Sequence, residues 1–127
     1  MVGKRVLMIG LDPDRLDYQS PMLARSGATP DSIRRSLAAE LERLRGVGYE
    51  AELLPTDGAE TAEQVVRERL AAERFDVVVI GAGIRLLPAY FLLFERLINA
   101  VHEAAPGAKI ALNNHPGDTA EAVGRWC

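Results

Sequence analysis

The chain has 127 residues, of which 48% are hydrophobic and 26% charged, a composition typical of one globular domain with a buried core. Its formal net charge is −3, from 15 basic and 18 acidic residues, so it lacks the basic excess that nucleic-acid binding requires. The single cysteine, Cys127, excludes an intramolecular disulfide and suits a reducing compartment. We expect one soluble, cytoplasmic domain over residues 1–127.

The hydrophobic pattern argues against membrane association. The first apolar run, Val6 to Leu11, is short and is interpreted as a strand, so no signal peptide is expected. The longest nearly apolar segment, Ile84 to Phe94, contains Arg85 and Pro88 and is too short to span a bilayer.

Strands and helices are predicted to alternate along the chain. The first strand is followed by an unusually long loop, Asp12 to Thr29. Thr29 suits the N-cap of the first helix and Pro30 its first position, and Thr61 with Gln64 has capping-box spacing. The predicted strands are Arg5–Leu11, Tyr49–Leu54 (stopped by Pro55), Val77–Ile80 and Lys109–Leu112, and the predicted helices are Pro30–Gly46, Thr61–Arg74, Pro88–Ala105 and one starting at Thr119.

This alternation predicts an α/β fold with a parallel sheet. The segment Val77–Ile80 is apolar on both faces, as a central strand of such a sheet is. The predicted architecture has three layers, α/β/α, with four parallel strands in the order 2-1-3-4, which is the flavodoxin-like arrangement one strand short. Open α/β sheets bind ligands at the carboxyl ends of their strands, near the switch point that lies here between strands one and three.

The sequence Gly81-Ala82-Gly83 after strand three suggests a dinucleotide fingerprint, but the match fails. Leu86 stands at the third glycine position, and the motif follows the third strand instead of the first. The glycines are interpreted either as a tight turn with positive φ and close packing or as a loop that contacts phosphate or carboxylate. Arg85 has the forked guanidinium that holds an oxyanion, although a surface salt bridge is an equally valid interpretation.

The loop after strand one begins with acidic residues. Asp12, Asp14 and Asp17 suit either Mg²⁺ coordination or ordinary turns. A phosphoacceptor role fails, because Gly81 stands where strand three would need an aspartate. The acidic loop would also repel the phosphate of FMN. No cofactor is therefore identified, and no metal site is assigned.

The loop after strand four contains Asn113, Asn114 and His115. Asparagine amides donate to and accept from ligands, and a histidine transfers protons near neutral pH. The alternative is an ordinary turn in which Asp118 or Thr119 caps the last helix.

The predicted helix Pro88–Ala105 has an apolar arc wider than the roughly 100° that packing on a sheet requires. The excess indicates either deeper burial or a homodimer interface. The candidate interface residues are Phe91, Leu92, Glu95, Ile98 and His102.

The segments GAGIR, FLLFERLIN with AVH, AP with GAKI, and DTAEAVGRW resemble a family of short bacterial proteins with no assigned activity. The resemblance implies a flavodoxin-like or Rossmann-like fold and supplies no reaction. Members of that family tend to have another polar residue at the position of His115, which leaves Gly81, Gly83, Arg85 and Asn113 as the better site candidates.

The sequence thus favours a protein that binds a small anionic ligand at the carboxyl ends of strands one, three and four, with the Asp12–Thr29 loop closing over it. No nucleophile–base pair is recognisable, so whether the protein is an enzyme stays open. The rival hypothesis is a non-catalytic homodimeric interaction module that uses the helix from Pro88 to Ala105. The predicted ligand-binding residues are Asp12, Gly81, Gly83, Arg85, Asn113 and Asn114.

Overall fold

A computed structural model describes residues 3–58 and 60–127 of the chain. Its strands form one parallel sheet in the order β2-β1-β3-β4, which confirms the predicted topology. The strands are β1 (Arg5–Leu11), β2 (Glu50–Thr56), β3 (Val77–Ile80) and β4 (Lys109–Leu112).

Helices connect the strands and follow the last of them. The α-helices are α1 (Pro21–Ser26), α2 (Pro30–Gly46), α3 (Ala62–Ala72), α4 (Ala82–Leu86), α5 (Phe91–Ala104) and α6 (Thr119–Gly124). Single turns of 3₁₀ helix lie at Pro13–Arg15, Pro88–Tyr90 and Pro116–Asp118. Among the described residues, no helix has both the length and the apolar character needed to cross a membrane.

The side chains of β1 alternate between two hydrophobic cores. Leu7 and Ile9 pack with residues of α3 and α5, whereas Val6 and Met8 pack with residues of α2 and α6. Every residue of β3 is buried, so it is a central strand covered on both faces. These contacts confirm the three-layer α/β/α architecture.

The predicted start of α2 is confirmed. The Thr29 hydroxyl accepts a hydrogen bond from the Ser32 N–H at 3.0 Å, and the Ser32 hydroxyl accepts one from the Thr29 N–H at 2.9 Å. This reciprocal capping box satisfies two donors at the helix end. The helix ends at Gly46, as expected from the glycines there.

Strand β2 continues two residues beyond its predicted end, because Pro55 lies within it. The N–H of Glu50 donates to Lys4 O, and the carbonyl of Thr56 accepts from the Asp12 N–H. Alternate residues of a parallel strand face one neighbour, so Pro55 faces the open side of this outer strand. A residue without an N–H is tolerated there.

An arginine side chain contacts each outer strand of the sheet. Arg45 Nη2 donates to the carbonyl of Ala51 in β2 at 3.0 Å. Arg125 Nη2 donates to the carbonyl of Leu112 in β4 at 2.8 Å. By the same alternation, the backbone N–H and C=O groups of residues 51 and 112 point away from the neighbouring strands β1 and β3.

The segment predicted as a loop from Asp12 to Thr29 contains ordered structure. Helix α1 begins after Ser20 at Pro21 and ends at Ser26, and it is followed by Gly27, whose φ of 71° is left-handed. This Ser-Pro start and glycine stop are the usual signals of a helix, here only six residues long. The Tyr18 hydroxyl donates to Pro13 O at 2.6 Å and holds the first part of the segment together.

The long helix predicted from Pro88 is interrupted at its start. Leu87 is extended, with φ −83° and ψ 121°, as steric clash with the following proline ring favours. Consequently Pro88–Tyr90 forms a separate turn and α5 begins at Phe91. Helix α4, directly after β3, was not predicted, since its five residues are too few for a periodic pattern.

The capping box predicted at the start of α3 is wrong. The Thr61 side chain makes no capping bond to the helix, and its hydroxyl donates to Asp57 Oδ2 at 2.8 Å. The helix also ends at Ala72, two residues earlier than predicted, because Glu73 is extended.

Candidate functional site

The carboxyl ends of β3 and β4 bring two of the predicted site segments together. The strands pair in parallel up to Ile80 and Leu112, so the residues that follow them lie side by side. One segment is Gly81 with the short helix α4 that follows it, and the other is the turn from Asn113 to Asp118.

Arg85 bridges these two segments. Its Nη2 donates to the backbone carbonyl of Asn113 at 2.6 Å and approaches Asn114 Oδ1 at 3.4 Å. Both acceptors are neutral, and within the described residues no carboxylate lies within ion-pairing distance of Arg85. Its Nε is buried and has no hydrogen-bond partner in this part of the chain. Arg85 is therefore a half-buried cation without a counter-ion there, and the surface salt bridge considered from sequence does not form.

Asn113 is almost completely buried, with 4% of its surface exposed. Its Nδ2 donates to the Thr119 hydroxyl at 2.9 Å, and Thr119 is itself fully buried. The other side-chain atom, Oδ1, has no partner among the described residues. Sequence reasoning considered Thr119 only as a helix cap, because nothing local indicates that it contacts Asn113.

The carboxylate of Asp118 shapes the turn after β4. It accepts from the Asn114 N–H at 3.0 and 3.2 Å and from the His115 N–H at 3.3 Å. It makes no side-chain cap on α6. The exposed His115 ring accepts a hydrogen bond at Nδ1 from the Gly117 N–H at 3.0 Å. These contacts support the turn interpretation of His115.

The two glycines of the α4 turn differ from prediction. Neither has a positive φ, so the expected left-handed turn is wrong. The Gly81 N–H donates to Ile9 O at 2.8 Å and extends the sheet, and it is thus not free to bind an anion. The predicted close packing at Gly81 is confirmed, because a Cβ there would lie 3.2 Å from Ile9 O. A Cβ on Gly83 would lie 3.9 Å from the Leu16 side chain, which the long segment contributes.

The structure places Asp12 in a different surface region. Its side chain accepts from the Asp14 N–H at 3.0 Å, as in an ordinary turn. Asp12 lines a mainly apolar cleft of about 320 Å³ between α2 and the ends of β1 and β2. Arg34 at this cleft pairs with Asp14 and Asp31, and its hydrogen bond lowers the pKa of Asp14. The charge of Arg34 is therefore already balanced.

The acidic residues of the long segment are used in local contacts. Asp17 accepts from the Gln19 N–H at 3.0 Å, as Asp12 does from Asp14. In the described ranges, no group of three or more histidine, cysteine, aspartate or glutamate side chains is arranged to hold a metal ion.

A second cleft, of about 360 Å³, lies at the amino ends of β3 and β4, between the carboxyl-terminal ends of α3 and α5. Arg85 and Asn113 line neither of the two clefts. The Nε of Arg85 and the Oδ1 of Asn113 are buried atoms, although the Arg85 side chain as a whole is only half-buried.

The wide apolar arc of α5 is partly explained by packing within the chain. Leu97 is fully buried, and Ile98 packs against the core that contains Leu7 and Ile9. Ile98 is therefore less accessible to a partner than predicted. At the start of the helix, however, Phe91 and Leu92 are 58% and 61% exposed. Of the other predicted interface residues, Glu95 and His102 are exposed.

Similarity to known proteins adds no information about this site, and the family resemblance described from the sequence stays a prediction. No protein-family model matches the chain, and no curated protein is significantly similar to it.

Proposed function

We propose that the protein binds a small anionic ligand through Arg85, at the carboxyl edge between β3 and β4. The observation that carries this proposal is the half-buried guanidinium whose hydrogen-bond partners are all neutral. Removing a cation from water without a counter-ion is costly. A carboxylate or phosphate would balance the charge and match the forked geometry of arginine.

Contacts around Arg85 favour a binding role. The carbonyl of Asn113 and the side chain of Asn114 hold one end of the guanidinium and leave Nε for a further acceptor. Holding the side chain in one orientation lowers the entropy lost on binding. Among the described residues Asp118 forms no ion pair with Arg85, and its carboxylate instead accepts from backbone N–H groups of the turn.

Access of a ligand to Arg85 Nε and Asn113 Oδ1 requires local movement, since both atoms are buried. Leu16 packs close to Gly83 at the turn that carries Arg85. We infer that the segment containing Leu16 shifts when the ligand enters, in the covering role expected from the sequence. Among the ligand-binding residues predicted from sequence, the proposal retains Arg85, Asn113 and Asn114.

Isothermal titration of the wild-type protein with phosphate, sulfate, lactate and isobutyrate tests this function. Arg85→Ala is expected to weaken anion binding by roughly 10- to 150-fold, the range for hydrogen bonds to charged groups. Arg96→Ala, an exposed arginine on α5, is the matched control and should bind as the wild type does. If no anion binds, or if both variants lose affinity equally, the proposal is wrong.

A second candidate function is homodimerisation through the start of α5. The exposure of two adjacent large apolar side chains, Phe91 and Leu92, favours it, because such patches mark interaction sites when they are contiguous. In this case the protein is a non-catalytic interaction module. The two functions use different surfaces, so they can be tested separately.

A further inference from the structure

The side-chain oxygen of Asn113 is an unpaired, buried acceptor. Its orientation follows from its neighbours, because Nδ2 donates to the Thr119 hydroxyl, which in turn donates to Pro116 O at 3.4 Å. The hydroxyl thus accepts one hydrogen bond and donates another. This arrangement leaves Oδ1, and not the amide nitrogen, without a partner in the described part of the chain.

Arg85, which lies beside Asn113 in the fold, supplies an unpaired hydrogen-bond donor. Its Nη2 contacts the Asn113 backbone carbonyl at 2.6 Å, and its Nε–H is buried without an acceptor. Buried polar atoms in native proteins are nearly always hydrogen-bonded, and unpaired ones require an explanation. Arg85 and Asn113, which contact each other, therefore offer one unpaired donor and one unpaired acceptor. A ligand that pairs with both must supply an acceptor for Arg85 Nε–H and a donor for Asn113 Oδ1.

We propose that the ligand is an oxyanion that carries an O–H on, or next to, its anionic group. This inference rests on the proposed anion-binding function. An oxygen of the anion accepts from Arg85 Nε–H, and the hydroxyl donates to Asn113 Oδ1. A monohydrogen phosphate group has its O–H on the anionic group, and a 2-hydroxy carboxylate has it on the adjacent carbon.

Other small anions fit this pair of atoms less well. A fully deprotonated anion such as sulfate directs only acceptor oxygens at Asn113 Oδ1, which then stays unpaired. An amino acid offers an ammonium donor, but that group would lie beside the guanidinium of Arg85, and like charges in a poorly solvated site repel each other. A hydroxyl donates without adding charge.

Two matched pairs of anions test the proposal on the wild-type protein. At neutral pH phosphate retains a proton that sulfate lacks, although both are tetrahedral and similar in size. Lactate and isobutyrate differ in having a hydroxyl or a methyl group on the carbon beside the carboxylate. Titration calorimetry should show the donor-bearing member binding roughly 5- to 150-fold more tightly, the effect of one unpaired buried acceptor. If the protein discriminates only between phosphate and sulfate, the hydroxyl that it recognises lies on the anionic group. If it discriminates only between lactate and isobutyrate, that hydroxyl lies on the adjacent carbon. Either result supports the proposal.

The variant Asn113→Ala tests whether this residue carries the discrimination. It should bind phosphate and sulfate with similar affinities while still depending on Arg85. The control Asn99→Ala, at an exposed position of α5, should keep the wild-type preference. Circular dichroism establishes whether Asn113→Ala is folded, and if it is not, the anion pairs on the wild type still decide.

The results separate this inference from the function on which it rests. Equal affinities within both pairs, together with loss of binding in Arg85→Ala, overturn the inference and leave anion binding intact. Failure of all four anions to bind overturns anion binding itself. A preference that persists in folded Asn113→Ala shows that another group reads the hydroxyl, and also overturns the inference.

Discussion

The carboxylate of Glu40 accepts a hydrogen bond from the backbone N–H of Ala120 at 2.9 Å, which joins the middle of α2 to the first turn of α6. The Glu40 side chain is only 1% exposed and also pairs with Arg43. A negative charge is favourable at a helix N-terminus, where backbone N–H groups lack partners. Because α6 follows the Asn113–Asp118 turn directly, this contact fixes one end of the candidate site.

Replacement of Glu40 by alanine should therefore destabilise the fold. The change leaves the Ala120 N–H without its partner, and we expect the free energy of unfolding to fall by about 1–3 kcal/mol. Urea denaturation measures this loss. Glu42→Ala is the control, because that side chain is 79% exposed, and it should change stability by less than about 0.5 kcal/mol. Similar losses in the two variants would contradict the structural role of Glu40.

Gly58 and Gly27 provide a matched pair for separating backbone strain from crowding. Both have φ of 71°, but a Cβ on Gly58 would lie 2.6 Å from Leu11 Cδ2, whereas nothing lies within 4 Å of one on Gly27. Each alanine variant should lose about 1–2 kcal/mol from left-handed strain. Gly58→Ala should lose a further 1–3 kcal/mol or so through overpacking against Leu11 and Tyr90. Thermal unfolding of both variants tests this order, and equal losses would refute the crowding at Gly58.

The acid stability of the protein should depend on Glu73. A hydrogen bond from Arg5, at 3.0 Å, and a weaker one from Arg69 lower the pKa of Glu73 below its ordinary value of 4.5. An acid with a lowered folded-state pKa contributes stability above its unfolded-state value, near 4.5 here, and this contribution is lost as pH falls through the folded-state pKa. The unfolding free energy of Glu73→Gln should consequently fall less than that of the wild type over this interval.

An NMR titration of the Glu73 carboxyl group checks the cause. Its midpoint should lie below 4.5 in the wild type and move upward in Arg5→Gln. Arg74→Gln is the control, because Arg74 pairs with Asp76 and not with Glu73. A midpoint that is the same in all three proteins would exclude the hydrogen bond from Arg5 as the cause.

Dimerisation through α5 predicts a change of mass in solution. Leu92→Glu places a charge at a side chain that is 61% exposed, so it should convert a dimer to a monomer without loss of stability. Light scattering at high micromolar concentration measures this. Ala39→Glu adds the same charge at an exposed position of α2, which packs on the opposite face of the sheet from α5, and it should remain dimeric. A wild-type protein that is already monomeric at this concentration would eliminate the homodimer.

The sequence was sufficient to predict the sheet and its order, because the relevant signals are local and strong. The apolar run Val77–Ile80 identifies a strand buried on both faces, and Thr29 followed by Pro30 identifies a helix start. Helix α4 was missed since it is a single short turn between a strand and Pro88. Pro55 predicts a strand end, but β2 continues through it because an outer strand tolerates a proline.

The candidate site could be predicted only in part. Arg85 and Asn113 were expected on one edge because β3 and β4 were expected to be neighbours, but their contact depends on the register of those strands. Asp12 also follows a strand at its carboxyl end, yet it lies on the side of the sheet that α2 covers. The residues of a turn do not by themselves determine to which side of the sheet the chain continues. The unpaired Oδ1 of Asn113 could not be predicted, because it depends on the hydrogen bond that orients the Asn113 amide toward Thr119.

The arginines on the outer strands have a consequence for how the sheet ends. A strand that added to either side of the sheet would need the outward carbonyls of Ala51 and Leu112, and Arg45 and Arg125 already occupy them. Pro55 removes a further donor from the β2 side. Strand-by-strand growth, the usual route from an open sheet to aggregates, is thus disfavoured in both directions.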